Sequence, residues 1–448
     1  MSNGMSPRAL ARALLGATLV AGLLPACGCS DRYPDNLKYG LRTDPLVIKV
    51  PSDMVLNHLD PPGDLEHWLD SLKDPGKGAV ALDPAKLDGG QRRELEDALD
   101  GIFGKPAAPK VDTTGLEDEA VEAAQTLRLD PQTLAEGSQL YRRHCLHCHG
   151  ITGNGQGPTG PWINPHPRDY RLGKFKFTSS GQSAGTRKPL RADLVRTISH
   201  GLEGTAMPAF GNFASDQGAN SQAGILPPDE IDKLASYVTH LSLRGQVEFQ
   251  VMQDWLNGGN LDGENTADYA KERLADLIGQ WAAAEKNVIK PGPAKELTGD
   301  QMQQSIARGY DLFIRGSAQC ISCHADFGRQ NNYKFDDWGT LDRPMDLTAG
   351  VYRGGRRPID IYWRIHSGIG GTGMSAFGGA LQPDQIWDVV NFVRALPYPK
   401  MLPGPENKLG LKDVRTQVYP PEGESSPERT DKPERQAAAP ARNLAAQE

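Results

Sequence analysis

Cys145-Leu146-His147-Cys148-His149 and Cys320-Ile321-Ser322-Cys323-His324 place two thiols and one imidazole at the same spacing twice, 175 residues apart. Two cysteines separated by two residues can each form a thioether to one vinyl group of a haem, and the histidine that follows then lies under the iron as its proximal ligand. Cys145, Cys148, Cys320 and Cys323 account for four of the six cysteines. Paired Cys-x-x-Cys runs also build zinc sites and dithiol redox motifs, but those chemistries give the histidine after each second cysteine no task.

A repeat surrounds these motifs. Ile198 to Gly211 aligns without a gap on Ile365 to Gly378, with Gly201, Gly204, Thr205, Met207, Ala209 and Phe210 matching Gly368, Gly371, Thr372, Met374, Ala376 and Phe377. Leu226 to Ile231 returns as Leu381 to Ile386, and Pro167-Arg168-Asp169 as Pro344-Met345-Asp346. The chain therefore contains one domain twice. Met207 follows His149 by 58 residues and Met374 follows His324 by 50, distances that let a loop cross the opposite haem face. A thioether is a soft, neutral ligand that favours Fe(II), raises the potential and closes the sixth coordination position. A lone methionine reads as adaptable core filler; matching places in two copies read as ligation. His144, His147, His200 and His366 are the imidazoles that could replace it, although His200 aligns with Ser367 and not with His366.

The elements that must position these ligands are helical. Pro131 to Tyr141 and Met302 to Phe313 have apolar residues at helical spacing with a glycine where helices can cross closely, and Pro228 to Leu241 and Pro383 to Leu396 are amphipathic runs opened by Pro-Asp. On these parts, both halves resemble class I cytochrome c domains, over about half of the chain. The expected fold is mainly α: two class I cytochrome c domains in tandem, at 130–245 and 302–398. They are accompanied by a signal segment at 1–26, a non-haem extension at 27–129, a helical linker at 246–301 and a disordered tail at 399–448. Within the extension Gln91 to Phe103 and Leu116 to Leu127 are predicted to be helical, as is Tyr269 to Ala284 in the linker.

The resemblance implies two covalently bound haem c groups with His149/Met207 and His324/Met374 as axial pairs. It also implies a proline carbonyl accepting the Nδ1 hydrogen of the proximal histidine, a part that Pro158 or Pro161 could play after His149. The second copy has no Gly-Pro after His324 and carries Ser375 where the first has Pro208, so the two haems are expected to have unequal potentials. Arg168, Arg171, Lys174, Arg353, Arg356 and Arg357 fall between motif and methionine, where propionates can be paired. The glycine-rich stretch Gly150 to Pro161 lacks the Gly-Lys-Ser/Thr ending and the preceding strand of a phosphate loop, which excludes nucleotide binding.

Arg8 and Arg12 precede the apolar run Ala13 to Leu24, too short for a membrane span and typical of a secretory signal. It ends in Leu24-Pro25-Ala26-Cys27, which resembles a bacterial lipobox with an unusual proline and would make Cys27 the lipidated first residue; a free or disulfide-bonded Cys27 is the alternative. Cys29 has no assigned role. No later apolar stretch reaches membrane-spanning length, so a multi-span transporter is excluded. Fifty glycines and 34 prolines favour loops wrapping cofactors, and a net charge of −7 disfavours nucleic acid while permitting docking on a basic patch. The sequence thus predicts an electron-transfer protein on the periplasmic side, lipid-anchored, similar to the di-haem cytochromes of bacterial respiratory chains. Its partners would be redox proteins: a quinol-oxidising complex or dehydrogenase as donor and a terminal oxidase as acceptor. The rivals are a di-haem peroxidase, which needs one open iron and a distal acid or base, and the electron-accepting subunit of a periplasmic dehydrogenase.

Overall fold

Asp or Asn side chains cap four of the α-helices, supplying an acceptor for backbone N–H groups that lack one in a first turn. The structure is a computed structural model and describes residues 32–49, 55–56, 80–181, 187–211, 225–259, 261, 265–292, 294, 296–330, 332–338, 341–404 and 413–421. Asp88 accepts from Gln91 N–H (2.9 Å) and opens α1, Gly89–Phe103. After α2, Asp118–Thr126, Asp130 accepts from Thr133 N–H (2.9 Å) and Pro131 pre-sets the first turn of α3, Pro131–His144. The first haem motif forms the single turn α4, Leu146–His149. Next come α5, Arg191–His200, and the 29-residue α6, Pro228–Leu256. Asn265 caps α7, Thr266–Lys286. In the second half, α8 spans Gly299–Arg315, α9 Cys320–Cys323, α10 Pro358–Ser367, α11 Pro383–Ala395 and α12 Val414–Val418. The strands are short and antiparallel, pairing 46–49 with 80–82, 104–105 with 108–109, and 333–335 with both 55–56 and 341–342.

Each repeat is held by one helix crossing. In the first, α3 meets α6 at Gly137, where an added Cβ would stand 2.5 Å from the Lys233 carbonyl oxygen; in the second, α8 meets α11 at Gly309, where it would stand 2.1 Å from that of Asp388. Around these points Leu134 and Tyr141 pack with Ile231, Leu234 and Tyr237, and Ile306 and Phe313 with Ile386, Val389 and Phe392, all buried. The crossings hold the ends of α3 and α8, and those ends carry the two haem motifs.

The boundaries drawn from sequence at 129/130 and 245/246 do not separate structural units. α6 runs straight through residue 245, because Leu243, Val247, Val251 and Met252 extend its buried stripe. Leu274, Leu277, Ile278 and Trp281 of α7 join the same core, as do Leu95, Leu99, Ile102 and Phe103 of α1 and Ala123 and Ala124 of α2. Helices α1, α2 and α7 of the extension and linker are thus the second layer of the first repeat, while strand 55–56 and Ile289 reach the second. A buried polar seam fastens them: Tyr39 and Tyr237 hydroxyls meet at 2.9 Å, Arg244 donates to Glu248 (2.9 Å) and to the Tyr39 carbonyl (3.2 Å), and His240 Nε2 donates to the Phe103 carbonyl (3.0 Å).

The tail predicted to be disordered from 399 is ordered where it returns to the second core. Val414 and Val418 are fully buried there, and Gln417 accepts a hydrogen bond from Tyr310. Residues 422–448 lie outside the described residues, as do the signal segment 1–26, Cys27 and Cys29. Among the described residues no helix is long and apolar enough to cross a membrane.

Candidate haem sites

One helical turn carries each motif. His149 N–H donates to the Cys145 carbonyl (2.9 Å) and His324 N–H to that of Cys320 (2.8 Å), so both histidines stand one turn after their first cysteine. Burial pushes both imidazoles down to about 4, keeping them neutral and fit to ligate. Burial pushes the Cys145 thiol up to about 12 and that of Cys320 up to about 11. The two cysteine pairs belong to separate cores, and among the described residues no cluster of three or more Cys, His, Asp or Glu is arranged for a metal ion. A shared zinc site does not fit this geometry.

The loop after each histidine differs in backbone as well as in sequence. Gly150, Gly153 and Gly155 take φ between +73° and +76° in the first copy, whereas Asp326 and Phe327 take +49° and +59° in the second. Non-glycine residues pay for left-handed φ, and burial of Phe327 against Phe313 and Phe392 offsets that cost.

The carbonyl that receives the proximal histidine's Nδ1 hydrogen is not a proline's. His149 Nδ1 donates to the Arg168 carbonyl (3.2 Å), while Pro158 and Pro161 are exposed. Asp169 fixes this turn by accepting Arg171 N–H at 2.9 Å. The second copy uses the matching triplet: the Met345 carbonyl faces His324 Nδ1, short of full hydrogen-bond geometry, and Asp346 accepts Thr348 N–H at 2.9 Å. The repeated Pro-x-Asp carries this signal in the sequence, 19 residues from His149 to Arg168 and 21 from His324 to Met345.

The methionine loops match bond for bond. Met207 N–H donates to Thr205 Oγ1 (3.1 Å) and Met374 N–H to Thr372 Oγ1 (3.2 Å). The threonine hydroxyls donate to the Leu202 (2.7 Å) and Ile369 (2.8 Å) carbonyls. Leu202 and Ile369 N–H groups return to the Met207 (3.1 Å) and Met374 (3.0 Å) carbonyls, and Phe210 and Phe377 N–H groups donate to Ile198 and Ile365, each at 3.1 Å. Gly201 and Gly368, at φ +64° and +70°, allow the loop to fold back where a side chain would strike the backbone of residues 207–208 and 374–375.

In the second copy Met374, His324, Cys320 and Cys323 line one cavity of about 370 Å³, walled by apolar side chains such as Phe313, Leu347 and Val389. That donor set, an imidazole and a thioether with two thiols in an apolar slot, fits a haem tethered by its vinyl groups. Of the six basic residues singled out for propionates, Arg353 faces this cavity. The rest are engaged elsewhere: Arg168 lies on the Trp338 ring (3.6 Å), Arg171 is buried between Asp169 (2.7 Å) and Asp44 (3.0 Å), Lys174 pairs with Asp337, Arg356 with Glu203, and Arg357 with Asp360 (2.9 Å). Lys176 and Arg364, which sequence reasoning missed, line the cavity instead. His147 and His200 are exposed, His144 meets Phe210 edge-on at 6.0 Å, and His366 does not line the cavity.

Residues 134–242 match the family model described as Cytochrome c, and residues 304–393 the one described as Cytochrome C oxidase, cbb3-type, subunit III. The chain carries two cytochrome c domains. Cytochrome c domains bind haem c covalently and transfer electrons, and both matched ranges contain a Cys-x-x-Cys-His motif and its methionine loop. No curated protein matches this chain. A chain of a reducing HAO-like protein complex from Kuenenia stuttgartiensis is similar at 23% identity and a TM-score of 0.40, over 58% of this chain and 95% of that one.

Proposed function

We propose that this chain is a di-haem cytochrome c of the periplasmic side that passes single electrons between redox proteins, with His149/Met207 and His324/Met374 as the axial pairs. The observation that carries this reading is the second cavity, where Met374, His324 and both thiols line one apolar slot, together with the first copy's methionine loop bonded in the same way. Bound there, haem supplies an iron that cycles between ferrous and ferric by one electron. Cys145, Cys148, Cys320 and Cys323 would tether the group, His149 and His324, oriented by backbone carbonyls, would supply the imidazole ligands, and Met207 and Met374 the thioethers. Closing both sixth positions favours electron transfer over substrate chemistry. The Leu24 to Cys27 run supports a lipid anchor on Cys27, and the acidic net charge supports docking on a basic face of a respiratory complex, terminal oxidase or dehydrogenase.

An anaerobic redox titration of the holoprotein, paired with a hydrogen peroxide turnover assay, tests the reading. Two one-electron steps with peroxide turnover no faster than that of free haem are expected. Fast peroxide turnover would replace the carrier by a di-haem peroxidase.

A further inference from the structure

Segment 168–177 belongs to the first repeat, yet its two ends serve different pockets. At its start the Arg168 carbonyl receives the His149 Nδ1 hydrogen; at its end Lys176 and Phe177 line the cavity of His324 and Met374. The contact is built into both sides. Gly354 of the second repeat has φ +82°, and a Cβ there would stand 2.5 Å from the Phe177 ring; one on Gly370, in the Met374 loop, would stand 2.5 Å from the Phe175 carbonyl oxygen. Lys176 Nζ reaches second-repeat carboxylates, Asp342 at 2.7 Å and Asp336 at 3.4 Å. Between the two ends, Trp338 of the second repeat covers Arg168, donates its Nε1 hydrogen to the Asp169 carbonyl (3.1 Å) and rests on Gly371. Lys176 thus joins Arg343, Arg353 and Arg364 on a cavity wall whose carboxylate is Asp342, leaving an excess of positive charge.

Resting on the reading that the second cavity holds haem, we propose that the first domain completes that site: Lys176, with Arg353 and Arg364, receives the carboxylate edge of the second porphyrin, and Phe177 closes its wall. The second haem would then sense the docking of the first domain, because one of the charges that sets its potential comes from across the interface.

The test is spectroelectrochemistry of the full-length holoprotein. The two potentials are assigned by Met207→His and Met374→His, each of which lowers the potential of its own haem. A cation beside the pocket favours the ferrous state, so Lys176→Gln should lower the second potential and leave the first unmoved, Asp342→Asn should raise the second, and Lys176→Arg should keep it near that of the unmutated protein. Opposite signs from two substitutions of one ion pair separate this effect from a loss of folding. The proposal is overturned if Lys176→Gln leaves the second potential in place or shifts both equally. A haem count of one in the unmutated protein would instead overturn the underlying reading of the second cavity.

Discussion

A histidine ligand needs its second nitrogen held by an acceptor, and any carbonyl can serve, so residue type gives no clue to which one does. The Arg168 carbonyl does so for His149 through a turn set by Asp169. Exposed Pro158 and Pro161 should therefore be dispensable: Pro158→Ala and Pro161→Ala are expected to leave the first haem's potential unchanged and to cost within about 0.5 kcal/mol of stability, read by potentiometry and thermal melts. A shifted potential would return the role to the proline. A second residue-scale expectation concerns His240, fully buried and pushed down to about 4 by desolvation. Its neutral form is the folded form, so the unfolded chain protonates first as pH falls below the ordinary histidine value. Its stabilising contribution is complete above about pH 6.5 and lost toward pH 4, about 3 kcal/mol in all. Denaturant unfolding across that window should steepen accordingly, and His240→Gln should flatten it.

At the scale of elements, periodicity and caps gave most helices their places: Gln91 to Phe103 is α1 with two residues added at its start, and Pro-Asp marks the starts of α6 and α11. Period alone could not end α6. Its buried stripe continues past the repeat, and no glycine or proline follows Gly245 to stop it before Asn257. The tail of the chain hid for the opposite reason, since five residues of α12 among prolines and charges are too few to show a pattern. The helix crossings give the sharpest expectation at this scale. Gly309→Ala places a methyl against the Asp388 carbonyl and the Phe392 side chain, and Gly137→Ala places one against Lys233 and Tyr237. Each should cost about 1–3 kcal/mol by overpacking, with the loss confined to its own domain when unfolding is followed at the two haem absorbances.

For the whole molecule, the sequence makes two domains legible through the repeat but leaves their assembly unread. Tyr39, Phe103, Tyr237 and His240 meet only when the chain folds, and no local pattern announces such a seam. The same holds for the interface where Trp338 covers Arg168 and Lys176 enters the second cavity. The ordered tail makes the second domain dependent on residues far beyond its matched range. Deleting residues 405–448 removes Val414 and Val418, each buried side chain worth about 1.5–3 kcal/mol. The second domain should melt earlier by calorimetry while the first keeps its transition; an unchanged second transition would show that α12 contributes nothing.

Closure of each iron between a histidine and a methionine can be read from the optical spectrum of the oxidised holoprotein with pyridine haemochrome quantification. Two haems per chain are expected, with a sulfur-to-iron charge-transfer band of two-site intensity that falls by half in Met207→Ala and by half in Met374→Ala. A high-spin component, or a band of one-site intensity, in the unmutated protein would contradict that closure.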